Sequence, residues 1–414
     1  MGRRKAISLF SGAGGLDLGL EAAGFDVALC VEIDADSRET LVSNRPRWKL
    51  SEPGDVHQLT PKQVMSQAGL QRRELQLLAG GPPCQPFSKS GYWVNGDAAR
   101  LSDPRASTLG AYLALVEATL PEVALLENVK GLAYDNKDEG LQLLKDELTR
   151  INEEQKTQYR PSVIVLNAAE YGVPQTRERV FIIAHREGTV FEAPPKTHAS
   201  PEALGDDDSL EPFLTAWDAI GDLDTETWDE NLDARGKWAD LLPSVPEGEN
   251  YQWHTDRMGG EPLFGWRTRF WSFLLKLAKD RPSWTIQAQP GPSTGPFHWK
   301  SRQLSNRELA RLQTFPDDYE FVGERRSVQR QVGNAVPPAI GEILGREIRR
   351  QLLSGRPRRA ISLLPERRHD RPEPEPVAPV PKKFLKRRGP HKAHPGTGKG
   401  PGAQRRVQEE QPHA

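Results

Sequence analysis

The chain has 414 residues with a formal net charge of -1 and 36% hydrophobic content, enough for two cores and an appendage. No run of about 18 apolar residues occurs, which excludes a membrane-spanning helix. The basic start Met1–Lys5 leads into an apolar stretch too short for a secretory signal. Only two cysteines, Cys30 and Cys84, are present, which excludes a disulfide scaffold or a cysteine-built metal site. A soluble protein of the reducing cytoplasm, with no metal, is therefore expected.

From the N-terminus to about residue 186, short apolar runs alternate with amphipathic stretches, the pattern of a parallel sheet covered by helices. The runs Ala6–Phe10, Val27–Val31, Leu75–Ala79, Val123–Leu126, Ser162–Leu166 and Val180–Ala184 are the expected strands, and Leu16–Ala23, Leu109–Thr119 and Leu141–Ile151 have helical spacing. Between the first strand and helix lies Phe10-Ser11-Gly12-Ala13-Gly14-Gly15-Leu16. Such glycines permit a tight turn and let a ligand approach the amides at a helix start. Glu32 ends the second strand 20 residues after Gly12, the offset at which an acidic side chain accepts hydrogen bonds from ribose hydroxyls. An ordinary strand–helix turn would look similar, and both a dinucleotide and S-adenosylmethionine remain open at this point.

The third strand runs into Gly80-Gly81-Pro82-Pro83-Cys84-Gln85-Pro86-Phe87-Ser88. Prolines on both sides of Cys84 forbid a regular helix or ladder, so the thiol sits on a rigid loop at the carboxyl edge of the sheet, where ligands bind. Free cysteines are usually buried and inert; Cys30, inside the run Ala28-Leu29-Cys30-Val31, fits that description, and Cys84 does not. Glu127 closes another apolar strand. A strand-end glutamate is ordinarily solvated or capping, but beside a loop cysteine it becomes a candidate acid. Arg177 and Arg179, two apart in an extended stretch, point to one face and could fix a carboxylate, phosphate or carbonyl rather than merely charge an edge.

Residues 187–302 differ in composition: eight of the ten tryptophans fall between Trp217 and Trp299, with poor periodicity, so a second, irregular domain is expected. Helical pattern returns in 303–353, over Ser305–Phe315 and Pro338–Leu353, and Gln331–Pro338 looks like a strand–turn–helix element. Residues 354–414 are rich in Pro, Arg and Gly and are expected to be a disordered basic tail. Gly355 to the end carries 15 Lys/Arg against 6 Asp/Glu, so the preceding body is acidic.

The glycine loop, Pro82-Pro83-Cys84-Gln85-Pro86-Phe87-Ser88, Glu127-Asn128-Val129, Gln175-x-Arg177-x-Arg179 and Gln331-x-Gly333-Asn334, in this order, resemble the motifs of the cytosine-5 DNA methyltransferase family over roughly 6–186 and 302–350. The resemblance implies a doubly wound α/β fold binding S-adenosylmethionine. Phe10 would contact the adenine, and Ser11 to Leu16 (including Gly12, Ala13, Gly14 and Gly15) the amino-acid moiety. Glu32 would take the ribose hydroxyls, Asp55 and Val56 would meet the adenine, and Pro83 and Asn334 would complete the site. The tryptophan-rich region would be the target-recognition domain.

The implied chemistry suits these residue types. Carbon 5 of cytosine is a poor nucleophile until a thiolate adds to carbon 6, the role of Cys84. Protonated Glu127 would hold ring nitrogen 3, with Arg179 and Arg177 orienting it. The target base must leave the duplex to be reached, and the loop from Ser88 to Asp103 could close over it. The expected partner is duplex DNA, bound by a monomer, with a cognate restriction endonuclease acting on the same site of a prokaryotic genome. Arg267, Arg269, Lys300 and Arg302 are candidate phosphate contacts. The alternatives are an RNA cytosine-5 methyltransferase and a non-catalytic DNA-binding regulator; intact Cys84, Glu127 and Arg179 argue against the latter. A nicotinamide-linked dehydrogenase would leave them without a role.

Overall fold

A computed structural model describes residues 4–83, 107–129, 139–205, 209–225, 227–228, 230–267, 270–355 and 360–391. Cys84, the Ser88–Asp103 loop and Arg269 lie outside the described residues. Two compact units are formed, one by Met1–Asp224, Arg281–Gln289 and Asn306–His369, the other by Thr225–Asp280, Pro290–Ser305 and Asp370–Ala414. The division thus differs from breaks at 186 and 302 read from composition.

The first unit is built on a six-stranded sheet: β1 (Arg4–Leu9), β2 (Phe25–Val31), β3 (Leu77–Gly80), β4 (Val123–Val129), β5 (Arg160–Asn167) and β7 (Glu178–His185), in the order β2-β1-β3-β4-β7-β5. The short β6 (Gln175–Thr176) pairs outside it with Ser283–Trp284. Strands β1 to β4 run parallel and are almost wholly buried, which is why they read as unbroken apolar runs. One strand departs from the expected parallel pattern: β7 runs antiparallel between β4 and β5. The cause is connection length. Only ten residues join β5 to β7, too few for the helical crossover that a parallel neighbour requires.

Helices cover both faces. On one face α3 (Pro61–Ala68), α4 (Ser107–Thr119) and α5 (Glu139–Gln155) bury Val64, Leu113, Val116, Leu144 and Ile151 against Ile7, Leu78 and Leu126. On the other, α1 (Gly15–Ala22) and α8 (Pro338–Gln351) bury Leu16, Leu20, Ile340 and Leu344 against Ala6, Leu125 and Ile183. Gly19 makes that second face possible: any side chain there would collide with the Pro338 carbonyl and the Glu342 amide. The chain's far end is thereby fastened to its beginning.

Helices α2 (Ala35–Asn44) and α3 were not among the expected elements, although each carries its start signal. Asp34 caps α2 by accepting from the Ser37 amide, and Thr60 and Gln63 form a reciprocal capping box with Pro61 at the first position of α3. The helical pattern expected over Ser305–Phe315 contains α6 (Asn306–Leu312). The expected strand–turn–helix at 331–338 is instead the end of α7 (Arg325–Asn334), a proline turn and α8.

The second unit has little regular structure, only short 3₁₀ turns such as Ala239–Ser244 and Tyr251–His254. Aromatic packing holds it: Trp238, Phe264, Phe273 and Tyr251 meet edge to face or tilted around Leu241, Leu242 and Leu274.

The segment expected to be a disordered tail is partly held. In the first unit, Ser362 and Leu363 amides donate to the fully buried Glu342, and the Arg368 amide donates to Asp218 at 2.7 Å. In the second, 373–391 is tied down as described below, and the residues from 392 onward lie outside the described part. Composition missed this because a few apolar anchors and buried carboxylates on the body, rather than a core of its own, offset the ordering entropy. Among the described residues no helix is long and apolar enough to cross a membrane.

Candidate active site

The site is assembled at the carboxyl ends of the parallel strands. Past Leu9 the chain turns sharply at Phe10, whose φ of 58° is left-handed and whose amide donates to the Val31 carbonyl at 2.8 Å. The following glycines serve different needs. Gly12, at φ 53°, faces open space: nothing lies within 4 Å of the position a side chain would take. Gly15 has the opposite reason, since a methyl there would strike the Val336 carbonyl. The loop therefore presents an open cradle on one side and packs tightly on the other.

Glu32 locks the cradle. Its carboxylate accepts the Gly12 amide at 2.6 Å and the Asp34 amide at 2.8 Å, leaving each oxygen a further lone pair. Burial pushes this carboxyl upward, and the amide hydrogen bonds oppose it. The Gly54 α-carbon approaches the Glu32 backbone so closely that no side chain fits, which brings Asp55 and Val56 beside the strand end. Asp55 starts a 3₁₀ turn by accepting from the His57 amide at 3.0 Å, while Val56 is buried in the core. Asn334, exposed at the end of α7, arrives next to Ala335 and Val336, which abut Gly15. Sequence-distant members of the expected cofactor set are thus brought together.

A second cluster lies at the end of β4. Glu127 is 8% exposed and pairs with Arg179 on the adjacent β7, Nε to Oε1 at 3.0 Å. Burial raises its carboxyl, and the charges of Arg179 and Arg177 only partly counter this. Gly81 fits here because it has no side chain; one would begin 3.1 Å from the Glu127 carboxylate. Buried Asn128 donates to the Pro82 carbonyl at 3.3 Å, pinning the proline stretch over the strand end. Pro83 is exposed at the last described position before Cys84.

Arg177 differs from its expected role. It is buried, and its guanidinium donates to the Gly333 carbonyl at 2.7 Å and the Ile286 carbonyl at 3.3 Å, bracing the returning chain. Its charge reaches Glu127, and these two hydrogen bonds hold backbone. Three buried glutamines do similar work. Gln175 donates to the Leu312 carbonyl, Gln313 to that of Val332 at 2.6 Å, and Gln331 to that of Val322 at 2.8 Å. For Gln175 and Gln331, their place in the ordered motifs was the signal available.

Cys30, the described cysteine, is fully buried in β2, and burial pushes its thiol well up, which disqualifies it as a nucleophile.

Asp17, in the first turn of α1 beneath the glycine loop, is also fully buried, and neither oxygen has a hydrogen-bond partner. Burial raises its carboxyl to about 7, the neighbouring Ser8 and Ser11 hydroxyls opposing this only in part. A carboxyl raised on folding stabilises fully below its unfolded value and loses that contribution as pH rises through its folded value. Asp17→Asn is therefore expected to raise the melting temperature near pH ~8 and to raise it clearly less near pH ~5, the difference vanishing only below the unfolded value near pH ~4. The gain is at most about 4 kcal/mol, since each tenfold change in proton affinity is worth ~1.4 kcal/mol. An equal change at both pH values in a melting experiment would assign the effect to shape instead of charge.

Comparison with known proteins is consistent with this geometry. The family model described as C-5 cytosine-specific DNA methylase matches residues 4–350. The chain is 40% identical over 375 residues to the Type II methyltransferase M.SacI of Streptomyces achromogenes, covering 84% of this chain and 93% of that one. It is 35% identical over 338 residues to the Type II methyltransferase M.NgoFVII of Neisseria gonorrhoeae, covering 81% and 83%. Among solved structures, a mutant DNMT2 of Spodoptera frugiperda superposes with a TM-score of 0.57 at 17% identity, covering 84% of this chain and 99% of that one, a likeness of fold.

Proposed function

Because the chain belongs to the C-5 cytosine-specific DNA methylase family, and so is an S-adenosylmethionine-dependent DNA (cytosine-5)-methyltransferase, we propose that Cys84 and Glu127 carry the reaction on a cytosine flipped out of duplex DNA. The observation that carries this reading is the buried Glu127–Arg179 pair, set beside the pinned proline stretch that leads directly into Cys84.

The residues of the glycine loop fit the cofactor. The open space over Gly12 admits a ligand against the loop, and the spare lone pairs of Glu32 suit ribose hydroxyls. When bound, S-adenosylmethionine supplies an electrophilic methyl group. The protein's own part is to make carbon 5 nucleophilic. The Cys84 thiolate adds to carbon 6, forming a C–S bond and placing the electron pair on the ring. Protonated Glu127 donates to ring nitrogen 3, so the charge formed by addition is met in a dry site. Arg179 holds the Glu127 carboxyl in place. After methylation, loss of the carbon-5 proton and departure of the thiolate restore the aromatic ring and the enzyme. The base can reach these groups only outside the helix stack.

The second unit, with its tryptophan-rich, irregular build, would read the DNA sequence, and the relatives named as Type II methyltransferases support a role in modification alongside a restriction endonuclease.

The test is transfer of labelled methyl from S-adenosylmethionine to unmethylated duplex DNA, followed by hydrolysis and identification of the labelled base. Label in 5-methylcytosine is expected. Label only on an exocyclic nitrogen, or transfer to RNA and to no DNA of varied sequence, would overturn the reading.

A further inference from the structure

The basic run near the C-terminus is fixed to the second unit, and this fixing gives it a definite surface. Lys279, itself buried, bridges Glu247 at 2.6 Å and Glu375 at 3.1 Å, and the Ala378 amide donates to the Pro243 carbonyl at 3.0 Å. Further on, Phe384 is 6% exposed, stacked on Trp238 with centroids 5.5 Å apart inside the aromatic core. A helical turn over Lys382–Leu385 continues through the amides of Arg387 and Arg388, which donate to the carbonyls of Phe384 and Leu385. Arg388 is held by Glu261 and Lys383 by Asp240.

The anchored side of the turn leaves cations on the other. Lys382 and Lys386 are four apart on one side of the turn, both exposed, with no ionic partner among the described residues. Arg387 is exposed beside them, its guanidinium over the Trp238 ring at 5.3 Å, which fixes the direction of its charge. Elsewhere the chain is acidic, so positive charge is concentrated here. A merely solvated run would not require a phenylalanine driven into the core to hold it still. Cations carried on an anchored backbone lose less freedom on meeting an anionic polymer than cations on a loose segment.

We propose that the anchored turn Lys382–Arg388 is a phosphate-contacting surface of the second unit, holding the backbone of duplex DNA through Lys382, Lys386 and Arg387. It positions the duplex without reading bases, and it rests on the reading that duplex DNA is the substrate.

The test uses the full chain with Lys382→Gln and Lys386→Gln combined. Dissociation constants for a fluorescent duplex are measured by anisotropy across a range of salt concentrations. Each phosphate contact contributes about 0.9 to the slope of log affinity against log salt, so the double variant should be shallower by about 1.8 and bind several-fold more weakly at low salt. Its melting temperature should match the parent, because both side chains are exposed. Phe384→Ala, which frees the turn, should weaken binding in the same direction. An unchanged slope and affinity in the double variant, with methylation intact in the parent, would overturn this inference alone. Weakening by Phe384→Ala without any effect of the lysine variant would also overturn it, leaving the turn as a structural strap. A parent chain that neither binds nor methylates duplex DNA would overturn both this inference and the reading beneath it.

Discussion

Cys84→Ser is expected to lower methyl transfer by on the order of 10⁴-fold or more while leaving the melting temperature unchanged. The reaction needs a group that adds to carbon 6 and later leaves. A thiolate does both at neutral pH, because thiols ionise far more readily than alcohols. Serine is nearly the same size, so folding should be unaffected, but its hydroxyl is far less ionised at neutral pH than a thiol. Cys30 offers no substitute, being buried in β2 with its thiol pushed up. The measurement is initial-rate label incorporation, together with trapping on DNA whose target cytosine bears fluorine at carbon 5. Fluorine cannot depart as a proton does, so a covalent complex should persist on a denaturing gel for the parent and be absent for the variant. Substantial activity in Cys84→Ser would remove the covalent mechanism.

The second large effect is expected at Glu127. Glu127→Ala should reduce the turnover rate about 10²–10³-fold, the loss typical of one donor aimed at developing charge in a water-excluded site. Glu127→Gln keeps a donor of similar shape and should lose less. The pH dependence distinguishes this role from a packing role. Burial raises the carboxyl, which keeps the protonated, donating form into a higher pH range than an exposed glutamate allows. Activity should therefore decline as pH rises through that raised value, and this limb should disappear in Glu127→Gln, whose amide does not titrate. A parent and a Gln variant with the same alkaline limb would place the titrating group elsewhere. Arg179 acts through Glu127. Its loss would leave a buried carboxyl without its 3.0 Å partner and favour the protonated form still further, at the expense of a fixed orientation.

Much of the catalytic architecture is legible in the residues. All six runs expected as strands lie within strands of the sheet or overlap them; β1 to β4 are the plainest, because parallel strands covered on both faces demand continuous apolar stretches. The Gly12–Glu32 offset points to two groups that meet directly, since a strand, a turn and a helix of ordinary length return the chain to the same sheet edge. Helices α2 and α3 were written in the chain as caps, at Asp34 and at Thr60 with Gln63, but α2 has weak hydrophobic periodicity and α3 spans only eight residues.

What the sequence determined by itself is local and periodic: the strands, the glycine turn, and a family resemblance carried by five ordered motifs. Only the tertiary structure decided which polar groups meet across long separations. Arg177 is legible as a partner of Arg179, yet two of its hydrogen bonds go to backbone 109 and 156 residues away. Glu127 is legible as a strand-end carboxylate, but its raised pKa arises from burial, and burial belongs to the packed whole. The segment 360–391 reads as disordered because its own composition cannot supply a core; Glu342, Glu247 and the Trp238 cluster, all distant in sequence, supply partners instead. Pattern reports what a segment can bury by itself, whereas order depends on what the rest of the chain offers it.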